Sequence, residues 1–139
     1  MSLDMSVSLQ RAVFARLAGD AALGALVGGA IYDGLPAGPV PPLYISLGPE
    51  ELRDSSGPGW GGARIDFIIS IFAAEAGFLT AKELAAAVHQ ALENGPLTLE
   101  AGRLVGLDFL RASARRNGGG RRIDLRFRAR VDYEQPLVE

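Results

Sequence analysis

Residues 122–133 alternate without a break. Ile123, Leu125, Phe127, Ala129, Val131 and Tyr133 fall on one parity; Arg122, Asp124, Arg126, Arg128, Arg130 and Asp132 fall on the other. A period of two held this long reads as a strand with one buried and one polar face. That demands a sheet covered from one side. The stretch at about 103–115 reads as a second long strand, and Asn117-Gly118-Gly119-Gly120 as the turn joining the two. With the turn at 117–120, Arg116 faces Arg121, Arg115 faces Arg122 and Arg111 faces Arg126. The same register puts Val105, Leu107 and Phe109 on the arginine side and Asp108 on the apolar side, which predicts a bulge nearby.

The rest of the chain supplies helices and further strands. Ser8 is a candidate cap for a first helix, with Leu9, Ala12, Val13 and Leu17 at helical spacing. Residues 1–3 are left out of this reading. Asp20 caps a short second helix, Ala21–Val27, which Gly28-Gly29 ends. Ile31-Tyr32-Asp33 is short and extended, and four prolines at 36, 39, 41 and 42 keep the next segment out of any helix. Leu43–Leu47 alternates and reads as a strand. Residues 48–62, rich in Gly, Pro and Ser, read as one long flexible loop, with 49–62 as its mobile part.

Ile65, Phe67, Ile69 and Ile71 line one face of the following strand. Ile68 and Phe72 line the other, so this strand is expected to be central and covered on both sides. Thr80 and Glu83 match a capping box for a helix running to about Glu93 and stopped by Asn94-Gly95-Pro96. Leu97–Leu99 is expected to open a small hairpin turning at 100–102. No internal repeat is visible. The sum is one α+β domain over 1–139: an antiparallel or mixed sheet of four to five strands with helices packed on one face.

Composition narrows the chemistry. The 139 residues contain no cysteine and one histidine. Thiolate chemistry and multi-histidine metal sites are therefore excluded, and acid–base catalysis has little to work with. The serines lack a nucleophile elbow. Gly57-Pro58-Gly59-Trp60-Gly61-Gly62 spells G-x-G-x-x-G but follows a polar segment and precedes a strand, the wrong context for a dinucleotide. His89 reads as a surface or boundary residue. The reading is a non-enzyme with no cofactor and no metal. Ala21–Ile31, the longest apolar stretch, has 11 residues, too few to span a membrane. The start of the chain lacks the basic residue of a signal peptide.

Charge is sharply divided. Residues 103–130 hold nine arginines against Asp108 and Asp124, a local charge of +7; residues 1–102 sum to −6 and the tail from 131 to −3. Such a chain suits pairing with its own copies or with a charged partner. Arg111, Arg115, Arg122, Arg126 and Arg128 are the candidate partner contacts, with Glu50, Glu51 and Asp54 as candidate acids reaching from a neighbour. Trp60, the only tryptophan, either folds over the domain's edge or anchors a protein contact. A DNA-binding module is the alternative. The acidic remainder and the near absence of lysine weigh against it.

The segment from Leu9 to Asp20, Leu26–Gly29, Ile31–Pro36, Pro41–Gly48 and Leu125–Ala129 together resemble the tail-terminator, or tail-completion, proteins of long-tailed phages, prophages and gene transfer agents. The resemblance implies an α+β subunit that assembles, commonly as a hexameric ring, on the end of a finished tail tube. There it stops polymerisation and meets the head–tail connector protein. It implies contact with the tail tube protein, DNA only as passing cargo, no membrane, and a place in the tail of the particle after assembly in the bacterial host cytoplasm.

Overall fold

A computed structural model describes residues 3–74, 77–95 and 97–133. Pro96 and the tail carboxylates Glu134 and Glu139, used above, lie outside the described residues. Five strands, β1 (Ile31–Tyr32), β2 (Leu43–Asp54), β3 (Gly61–Ala73), β4 (Arg103–Asn117) and β5 (Gly120–Tyr133), form one sheet in the order β1-β2-β3-β5-β4. Only β1 pairs in parallel; the other pairs are antiparallel. Helices α1 (Asp4–Ala18), α2 (Ala21–Val27) and α3 (Phe78–Glu93) pack on one face, giving the mixed α+β sheet that the sequence implies. No described helix is long and apolar enough to cross a membrane.

The core follows the two periodicities. Leu9, Val13 and Leu17 of α1 and Leu84, Val88 and Leu92 of α3 meet Ile65, Ile69 and Ile71 of β3 and Ile123, Leu125, Phe127 and Val131 of β5, all buried. At about 25 cal/mol per Å² this apolar burial is the main force holding helices to sheet. Asp20 caps α2 by accepting from the Leu23 N–H at 3.0 Å, and Gly28 ends the helix at φ 60°.

Five local expectations are corrected. First, α1 begins at Asp4, so Ser8 is a buried mid-helix residue and no cap. Its Oγ instead accepts from the Ala101 N–H at 3.0 Å, and Met5, next to the segment set aside, is core. Second, α3 starts at Phe78 with Gly77 at its N-cap position, which puts Thr80 inside the first turn. Arg121 lies over the Phe78 ring at 5.0 Å and gives those extra residues something to pack on. Third, Leu97–Leu99 forms no strand; Leu97 is buried and Glu100 pairs with Arg11 at 3.1 Å, so the segment is tied to α1.

Fourth, the loop expected over 49–62 shrinks to about 55–60. β2 runs on to Asp54, past a bulge at Gly48-Pro49. That half of β2 is an outer strand, because β1 pairs only with Ile45 and Ser46, so its side chains are polar and hide the strand pattern. Fifth, β3 is central in the sheet, but no helix among the described residues covers its second face. Ile68 and Phe72 are half-buried by neighbouring side chains, Arg122 lying 5.0 Å over the Phe72 ring.

Candidate interaction surface

The face of the sheet away from the helices carries the arginines. The hairpin register is as the sequence implies at its tip: Arg116 opposite Arg121, Arg115 opposite Arg122, Arg111 opposite Arg126. Gly118 takes φ 61° in the two-residue turn. Further along, bulges at Leu110 and Val105 shift the pairing. They put Phe109 opposite Phe127 and Leu107 opposite Ala129, on the helix side, while Asp108 moves opposite Arg128. The expectation that Leu107 and Phe109 stand among the arginines is therefore corrected, and the bulge expected near Asp108 is present.

Four carboxylates of this chain answer part of the positive charge. Arg128 grips Asp66 with two hydrogen bonds, at 2.8 and 3.1 Å. Asp124 accepts from Ser70 Oγ at 2.6 Å and from Arg122 Nε at 2.9 Å, with Arg115 at 3.7 Å. Arg130 lies 3.5 Å from Asp108, and Arg103 3.3 Å from Asp132. Arg111 and Arg126 stand opposite each other with no ion-pair partner among the described residues; Ile68 flanks Arg126 on its other side. Directly opposed like charges cost roughly 0.2–1 kcal/mol.

The paired acids are perturbed accordingly. The Arg128 hydrogen bond holds Asp66 below the usual carboxylate range against its partial burial. Burial pushes Asp124 up, but the bonds from Ser70 and Arg122 outweigh it and leave it lowered. Both native values lie below the roughly 3.9 of an unfolded aspartate, so their stabilisation is complete above that value and lost as pH falls through the native ones. The urea midpoint should hold steady from pH 7 to 5 and drop below about pH 4, and Asp66→Asn should shrink that drop. An equal drop in the variant would remove Asp66 from the account.

The structure gathers Arg111, Arg115, Arg122, Arg126 and Arg128 on one face, with Glu51 across the sheet beside Arg53 at 2.9 Å. Glu50 and Asp54 fall on the other parity: Glu50 accepts from Ser6 at 2.6 Å and Asp54 from Ser56 at 2.6 Å. The Ser56 bonds hold Asp54 below the usual range. Trp60 closes the β2–β3 turn, its ring over Gly57 and Gly62 and 49% exposed, and the glycine motif is that turn. Asp66, which sequence reasoning passed over, was marked by its polar parity within β3. No group of three or more potential metal ligands occurs among the described residues.

The family described as Tail completion protein gp17 matches residues 11–132. The chain belongs to this family. It is also similar to a solved chain from the "Virion of native gene transfer agent (GTA) particle", with 53% identity, a TM-score of 0.88, and coverage of 94% of this chain and 99% of that one. No curated protein sequence matches. This tail completion protein thus has a structural role in a phage-type tail.

Proposed function

We propose that this protein closes the finished tail tube as a hexameric ring, stops its polymerisation and presents a docking surface to the head-side connector. The observation that carries the reading is the 53% identity, over nearly the whole of both chains, to a subunit of a gene transfer agent virion. The divided charge, and Arg111 and Arg126 with no ion-pair partner among the described residues, suit a subunit that is completed by neighbours. On this reading the arginine face meets carboxylates of an adjacent subunit or tail protein. Arginine fits because its planar fork takes a carboxylate in two hydrogen bonds. DNA passes through as cargo, and assembly takes place in the host cytoplasm.

The test is to add the protein to polymerising tail tubes and image them by negative stain. Tubes should stop at a fixed length with added density at one end. Unchanged lengths and bare ends would sink the reading. The same unpaired arginines favour a second reading, a DNA-binding module. It requires the free subunit to bind unrelated duplexes with an affinity that falls steeply with salt.

A further inference from the structure

Among the described residues, two apolar surfaces on the helical side lack cover, one along the β4 edge of the sheet and one on the outer side of α1. The first is a groove between α3 and β4. β4 is the outermost strand, and Val105 and Phe109, which line the groove, are exposed by 55% and 43%. The groove encloses about 450 Å³ between His89 and Leu92 of α3 and Leu104, Leu107 and Phe109 of β4, above Phe127. The second is the outer side of α1. Leu3, just before the helix, Val7 and Phe14 are spaced by four and seven residues and exposed by 68%, 50% and 41%. That spacing lines them up on the side away from the buried Leu9–Val13 stripe. α1 runs beside β2, where Ser6 bonds to Glu50.

The two flanks are also opposite in charge. The outer half of β2 carries Glu50, Glu51 and Asp54 against Arg53, and β4 carries Arg103, Arg111, Arg115 and Arg116 against Asp108.

We infer that the α1–β2 flank of one copy seats in the α3–β4 groove of a second copy, with Val7 and Phe14 as its anchors. An amphipathic helix entering an apolar groove through residues on one side is a recurring mode of recognition. Here each apolar surface covers the other, and the acidic edge of β2 comes beside the basic edge of β4. A symmetric contact of groove with groove would instead set two arginine-rich strands together. A contact between unlike flanks is head-to-tail, and such contacts give a ring when the rotation from copy to copy closes. The inference deepens the ring reading above and rests on it for the identity of the partner.

The chain has no cysteine, so introduced thiols are unique. Three single variants at exposed positions are made: Val7→Cys on α1, Ala86→Cys on α3 in the recess that adjoins the groove at His89 and Phe109, and Ser113→Cys on the arginine face of β4. Val7→Cys chains are mixed with each of the others at high concentration, and separately on tail tubes, treated with a short bis-maleimide, and weighed by mass spectrometry. The Val7–Ala86 product should exceed the Val7–Ser113 product by at least about tenfold, because a seated helix holds its thiol at high effective concentration. Predominant Val7–Val7 product would mean that α1 pairs with itself, and no excess over the control in either setting would leave the groove to another protein; both overturn the inference. Tube capping by the unmodified protein is scored alongside. Capping without the Val7–Ala86 product removes this interface and keeps the function; the product without capping does the reverse.

Discussion

Phe127→Ala is expected to lower the unfolding free energy by about 3–5 kcal/mol, read as a fall in the urea midpoint at constant slope. Phe127 is 2% exposed at the middle of β5. Its ring stacks on Phe67 at 5.6 Å and meets Phe109 edge-on at 5.6 Å, with His89 6.3 Å away. Removing it opens a void that β-sheet neighbours on both sides hold apart, so collapse is limited. A domain of this size has about 5–15 kcal/mol in all, so the variant should unfold at markedly lower urea. Phe109→Ala is the control. Its ring is 43% exposed, so the loss should be clearly smaller. Equal losses would show that the groove wall contributes as much to stability as the buried ring beneath it.

The fold was legible where one physical pattern acted alone. β5 is flanked by strands on both sides and covered by helices on one face, so its alternation is complete and its register could be counted from the turn. The α1 and α3 stripes were equally readable, because each helix buries one side. The outer half of β2 was not. Beyond Ser46 it has no strand partner on its free side among the described residues, needs no apolar side chain there, and reads as a loop. Gly48-Pro49 adds a bulge in the middle that breaks the period. The start of α3 was misplaced because Thr80 satisfies a local rule that the packing of Phe78 overrides.

The surface was legible in part. Counting from the turn placed Arg115, Arg122, Arg111 and Arg126 correctly, because no bulge intervenes before Arg111. Beyond Leu110 the count slips by one, and a slip of one exchanges the faces. The displaced Phe109 then becomes the wall of a groove on the helix side. Asp66 and Asp124 as intrachain partners of Arg128 and Arg122 depend on which strands are neighbours, and no local pattern states that β3 lies beside β5.

Arg126→Glu should separate assembly from folding more sharply than any other single change on this face. In the isolated subunit the new carboxylate would stand opposite Arg111, turning a like-charge pair into an opposite-charge pair. A pair at the sheet surface is worth only ~0–1 kcal/mol, and the gain opposite Arg111 is offset by the lost attraction of Arg126 for Asp66, so the melting temperature should barely move. At an interface the same change sets a carboxylate against a neighbour's carboxylate. Breaking a desolvated charge pair costs about 2–5 kcal/mol, so capping should need on the order of a hundredfold more protein. The measurement is the protein concentration at which half of the tubes are capped, beside a melting curve of the free subunit. Arg111→Glu should behave alike, since the two positions share one patch. The double exchange should not restore capping, because the missing acid lies on another molecule. A variant that caps tubes normally while losing salt-dependent affinity for duplex DNA would transfer these arginines from the subunit interface to a lumen that faces the passing DNA.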